Sequence, residues 1–154
     1  MLAPCVWRDI SRRRMRRSLA SAFIGEIVAV LRIVEVRDVV SKLARYAEGP
    51  GDAELSLAGF SLPQFTVFQA SAGRLTWLRS PLPQQIAYFY ARLGVLTDDL
   101  RAIATPSDAA AEARPEHARR TLAEIRETLD LADDILRALQ IFVSKQHHRS
   151  ISRA

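Results

Sequence analysis

An all-α fold, an antiparallel helical bundle of about four helices with the first and last long, is what the sequence predicts, and three observations predict it. Apolar residues recur every three or four positions through most of the chain, which is the helical period. No two segments alternate in a way that would let a pair of strands form a sheet. Clusters of Gly and Pro divide the periodic stretches into four blocks, each with one apolar stripe that must be buried against another.

The first block spans about Ser11 to Ala47. Its stripe runs through Ala20, Phe23, Ile27, Val30, Leu31 and Val34, slips in phase near Val36, and resumes at Val40 and Leu43. Gly49, Pro50 and Gly51 stop it. Within Glu54–Phe60 a short alternation at Leu55 and Leu57 fits an extended piece or a buried turn, and with no partner strand it is not read as a sheet.

The second block runs from about Pro63, which suits a first helical turn, to Leu78, with Phe65, Phe68, Ala72, Leu75 and Leu78 on one face. After Ser80, Pro81, Leu82 and Pro83, the third block carries Ile86, Phe89 or Tyr90, Leu93, Leu96, Leu100 and Ile103 to about Ala104. Thr105 and Pro106 end it, and the Ala-rich stretch to Arg114 is a connection or one weak turn. The fourth block starts near Pro115 and has a heptad seam, Leu122, Ile125, Leu129, Ala132, Leu136, Leu139 and Val143. A seam of this kind also suits an isologous dimer.

A length of 154 residues fits one domain, taken as 12–146 between a flexible N-terminus, 1–11, and a flexible basic tail, 147–154. Cys5 is the only cysteine, which leaves no internal disulfide and suits a reducing compartment. The longest apolar stretch, Leu19 to Val34, is interrupted by Glu26 and Arg32 and is shorter than the roughly 20 residues that cross a bilayer. A signal peptide would need an unbroken apolar run there, so the segment is read as retained structure.

The formal charge is +5, with 22 Lys and Arg against 17 Asp and Glu. Only Lys42 and Lys145 are lysines, a bias that GC-rich coding produces as readily as selection for arginine chemistry. The concentrated feature is Arg12, Arg13, Arg14, Arg16 and Arg17, interrupted by Met15 and followed at once by the apolar stripe. Five like charges near a helix start oppose the helix dipole and each other. The run is therefore a solvated face, a site for an anionic membrane surface with Trp7 and Ile10 beside it, or a phosphate-tracking patch for nucleic acid. Helix-turn-helix and zinc-finger spacings are both missing from the sequence.

Catalytic chemistry finds little support. Glu127, Asp130, Asp133 and Asp134 read as a solvated acidic face, because a helical di-iron site would need Glu-x-x-His pairs. Asp98 and Asp99 are expected to be neutralised by Arg92 and Arg101. The glycines never fall into a phosphate-loop spacing, and Cys5 has no identifiable base. Phe65, Phe68, Trp77, Tyr88 and Tyr90 are candidate partner or pocket-lining residues between the second and third blocks, although such aromatics are more often core. Tyr88 and Tyr90 point about 200° apart around a helix, so one is expected to be buried and the other wet.

Residues Phe65 to Leu78, then Pro81, then Ala87, Tyr88, Phe89 and Tyr90, together with Phe23 to Ile27, resemble a loose group of small helical bacterial proteins of no assigned activity. Members of that group often carry a membrane anchor just before a basic stretch. The resemblance covers about Arg12 to Leu100 and implies a cytoplasmic domain at a membrane surface. The eleven residues ahead of Arg12 hold no such anchor, which departs from the group.

The expectation is a non-enzymatic helical interaction module, cytoplasmic and peripheral at the inner membrane through its basic segment. It would bind a protein partner or a second copy of itself, with no cofactor, no metal and no small-molecule substrate. The alternative is a nucleic-acid-binding accessory protein using the same arginines.

Overall fold

In a computed structural model of the chain, residues 4–48, 62–104 and 114–151 are described, with side chains for 11–48, 62–104 and 115–145. The extended piece or buried turn expected at Glu54–Phe60, the Gly49–Gly51 stop, the Ala-rich connection and the side chains of Cys5, Trp7 and Ile10 lie outside them. Every regular element among the described residues is a helix. The elements are α1 (Pro4–Val36), α2 (Val39–Ala47), α3 (Thr66–Ser71), a 3-10 helix (Ala72–Trp77), α4 (Leu82–Ala104) and α5 (Arg114–Ile151). Thus α1 starts ahead of Ser11, and α5 continues beyond Lys145 to Ile151.

The phase slip near Val36 is a true break. At about 100° per residue, Val39 would stand opposite Val30 on an unbroken helix. Asp38 adopts φ 51°, a left-handed conformation that Asp tolerates better than most residues. The turn re-aims the chain so that Val39, Leu43 and Ala47 are buried like Phe23, Ile27 and Val30 before it. Arg119 of α5 donates from Nε to the Ala47 carbonyl at 3.2 Å, satisfying one of the unpaired carbonyls at the end of α2.

Two core clusters give the direction of each helix. The first joins Leu19–Val30 of α1, Leu75, Leu78, Leu82–Leu93 and Ala132–Leu139 of α5. The second joins Val39–Ala47 of α2, Leu96–Ile103 of α4 and Ala118–Ile125 of α5. Passing from the first cluster to the second, α1–α2 and α4 run the same way and α5 runs against both. The second block is not a full-length rod: its short helix and 3-10 turn lie against α1 at the end of the molecule where the first cluster sits.

α5 is the central element, packed on α1, α2 and α4. Its buried line is consequently broader than a heptad seam. Leu122, Ile125, Ala132 and Leu139 are buried as the seam predicts, but so are Thr121, Thr128 and Ile135, while Leu129, Leu136 and Val143 are only half-buried. The seam is used within the chain.

Candidate anionic-surface site

The site is built on the inward-facing line of α1. With about 100° between successive residues, Arg12 and Arg16 fall within about 60° of the line through Leu19, Phe23, Ile27 and Val30. The core stripe therefore changes from aliphatic to guanidinium as it passes the end of the bundle. There the second block supplies Trp77, at the last position of the 3-10 helix, and a groove of about 320 Å³ opens between Arg12, Met15, Arg16 and Trp77. Trp77 is half-buried, and the guanidinium of Arg74 lies over its ring at 5.6 Å. Met15 is exposed at its edge.

Arg12 and Arg14 are exposed along with Arg17, and Arg13 and Arg16 are half-buried. Arg13 and Arg17 interact with other groups, whereas Arg12, Arg14 and Arg16 have no hydrogen-bond or carboxylate partner among the described residues.

The surroundings of the groove explain this. Residues 10–25, 55–97 and 135–154 contain not one Asp or Glu. These segments supply the elements that meet in the first core cluster, namely the basic half of α1, the second block with the start of α4, and the end of α5. Carboxylates concentrate instead toward the second cluster, where Asp98, Glu116 and Glu127 take part in ion pairs at the surface. A net charge of +5 thus conceals a molecule with a cationic end.

Within the span of the first cluster, Asp133 and Asp134 of α5 are exposed, while Glu26 is half-buried and its charge is occupied. Its carboxylate accepts the Val67 N–H at 2.7 Å, the Phe68 N–H at 3.1 Å and the Tyr90 O–H at 2.6 Å. Phe65, at the N-cap of α3, offers no side-chain acceptor, so Glu26 caps α3 from another helix. Burial first, and then the hydrogen bond and charge of Glu26, push the Tyr90 hydroxyl well above its ordinary pKa.

The five expected aromatics separate into three settings. Phe65 and Phe68 meet Tyr90 at ring-centroid distances of 5.1 and 4.3 Å, within a core that also holds Phe23 and Phe89. Tyr90 is 4% exposed and Tyr88 is 56% exposed, the division their angular separation implies. Tyr88 stands outside, beneath the Arg92 guanidinium at 5.6 Å. Trp77 alone joins the arginines. A cavity of about 20 Å³ lies instead between the two clusters, where Val30, Val39, Phe89, Leu93, Leu96 and Ile125 are among its lining.

Two side chains have partners other than those expected. Arg101 pairs with Asp98 at 3.2 Å as spacing predicts, but Arg92 turns away from Asp98 and Asp99 to α5. It donates to the Glu124 carbonyl at 3.1 Å and to Glu127 at 3.0 Å, because α5 brings a closer acceptor than its own helix does. Asp99 lies 3.5 Å from Nε2 of His117. The interhelical role of Glu26 left one sequence signal, a lone carboxylate inside the apolar run Leu19–Val34.

Among the described residues, no helix is long and apolar enough to cross a membrane, and no three His, Cys, Asp or Glu side chains are grouped to hold a metal ion. No family model, curated protein or solved structure matches the chain, so the resemblance carried by Phe65–Tyr90 brings no activity with it.

Proposed function

We propose that the protein is a non-enzymatic helical interaction module that rests by its cationic end on the anionic cytoplasmic face of a membrane. Its scaffold is read as an antiparallel bundle in which α5 opposes α1–α2 and α4, with the second block as a short fourth piece. The observation that carries the proposal is the segregation of charge: three segments without carboxylates converge on the end that bears Arg12, Arg14 and Arg16. Each arginine near an anionic surface contributes about 1 kcal/mol, so these three supply roughly 3 kcal/mol at low salt. Trp77 and Met15 add apolar contact at the headgroup level. A protein partner or second copy would then engage the remainder of the bundle.

Co-sedimentation with vesicles tests this reading. The protein should pellet with phosphatidylcholine vesicles containing 30% phosphatidylglycerol in about 50 mM salt, and should stay in solution with pure phosphatidylcholine or at about 500 mM salt. Failure to pellet with the anionic vesicles overturns the proposal. Salt-sensitive binding to duplex or single-stranded nucleic acid in place of vesicles would establish a phosphate-tracking patch instead.

A further inference from the structure

We infer that the groove between Arg12, Met15, Arg16 and Trp77 is a discrete seat for the phosphate of one anionic phospholipid, an inference that rests on the membrane reading above. A diffuse basic patch needs only charge near a surface. This groove has more: two guanidiniums one helical turn apart on α1, both without protein partners among the described residues, on the same inward line as the core. Guanidinium forks match the oxygens of a phosphate in a way that ammonium groups do not.

The opposite wall gives the seat its preference for lipid over free phosphate. Trp77 is an amphipathic ring of the kind that settles at the glycerol level of a bilayer, and Met15 is an exposed, adaptable apolar side chain one turn from Arg12. With its phosphate between Arg12 and Arg16, a lipid would lay its glycerol and first methylenes along Trp77 and Met15. Inorganic phosphate makes only the first set of contacts. Arg74, over the indole, holds the ring and adds charge beside the seat.

The experiment compares three variants of the full chain, each replacing two arginines, on vesicles with 30% phosphatidylglycerol. Arg12→Gln with Arg16→Gln and Arg14→Gln with Arg17→Gln remove equal charge, so a seat predicts that the first pair binds at least tenfold more weakly than the second. Arg12→Lys with Arg16→Lys keeps the charge and should still lose threefold or more. Circular dichroism melts confirm that each variant folds. Equal binding by the two Gln pairs, with full binding by the Lys pair, overturns the seat while leaving electrostatic attachment intact. Wild type that ignores the vesicles overturns the attachment itself.

The source of the phosphate is read in a Trp7→Phe protein under selective tryptophan excitation, where Trp77 is the one tryptophan. Dihexanoyl phosphatidylglycerol below its micelle concentration should shift the Trp77 emission to the blue, and inorganic phosphate or glycerol 1-phosphate at the same concentration should not. Equal responses to all three would assign the groove to free phosphate and overturn the lipid seat.

Discussion

The Tyr90 hydroxyl donates a 2.6 Å hydrogen bond to Glu26, a carboxylate that at the same time accepts two backbone N–H groups from the first turn of α3. Three elements distant in sequence are therefore tied at one side chain. Because α3 leads directly into the 3-10 helix that ends at Trp77, Glu26 also determines where the aromatic wall of the arginine groove is placed.

Replacing Glu26 with Ala leaves two amides and a phenol without an acceptor in a half-buried setting. The expected loss is about 3 kcal/mol in urea unfolding, since hydrogen bonds to charged groups contribute about 1.5–3 kcal/mol and their unpaired partners keep a desolvation cost. Glu26→Gln retains an acceptor oxygen and should lose only about 1 kcal/mol. Hydrogen exchange at the amides of Val67 and Phe68 should accelerate far more in the Ala variant than at α4 amides. Equal acceleration throughout would mean that Glu26 has no particular hold on α3.

The raised pKa of Tyr90 gives stability a sign in alkali. Unfolded tyrosine ionises near pH 10, whereas the buried hydroxyl beside Glu26 keeps its proton well beyond that. Above about pH 10 the unfolded chain thus binds fewer protons than the folded one, and stability falls with rising pH by up to about 1.4 kcal/mol per unit. Below that pH the group contributes no slope. Tyr90→Phe should be less stable than wild type at pH 8 by about 1–2 kcal/mol, the loss of one hydrogen bond to a charged group. Its deficit should narrow between pH 9.5 and about 11, because Tyr46 and Tyr88 are common to both proteins and cancel. Parallel curves would refute the assignment.

Much of this was legible before any coordinates, for a physical reason that differs by element. The stripe of α4 survives intact, Ile86 through Ile103, because that helix has one covered side and an apolar stripe reports a single covered side well. The break at Asp38 announced itself as a loss of phase. The width of the α5 core did not, because Thr121 and Thr128 look polar in sequence, and only the packing of three helices around α5 reveals why they are buried. The arginine run was evident as a run. Its alignment with Trp77 was not, since about sixty residues separate them and no local period encodes a tertiary neighbour. The partners of Glu26 and Arg92 escape a local reading for the same cause: they lie 41 to 64 and 32 to 35 positions away.

Arg92 offers a test of interhelical attachment. Its side chain is only 18% exposed while its partner Glu127 is 68% exposed. Burial works against its charge, but the hydrogen bonds to Glu127 and Tyr88 outweigh that and its pKa is raised on balance. Arg92→Ala should cost about 1–2 kcal/mol, from the bonds to α5 together with the packing of its stem. Glu127→Gln should cost well under 1 kcal/mol, as an exposed pair in water does. Chemical denaturation of both variants checks the ranking, and a larger effect at Glu127 would reverse the account.

Thr128 is a position where the protein can be made more stable. It is 2% exposed and borders the cavity between the two clusters, and its hydroxyl donates at 2.7 Å to the Glu124 carbonyl of its own helix. That carbonyl also accepts Arg92 Nη2 at 3.1 Å, besides the amide four residues on that α-helical geometry assigns to it. A carbonyl oxygen has two lone pairs, so three donors compete for it. Valine has nearly the shape of threonine, and replacing a hydroxyl whose only acceptor is already served removes a buried polar group without orphaning another. Thr128→Val should therefore stabilise the fold by up to about 1 kcal/mol and raise Tm by a few degrees. Thr97, whose hydroxyl donates at 2.7 Å to Leu93 O but which is only half-buried, provides the comparison. Thr97→Val should gain less, because its hydroxyl loses less hydration on folding. A loss of stability at Thr128→Val greater than at Thr97→Val would show that the hydroxyl at 128 is required where it stands.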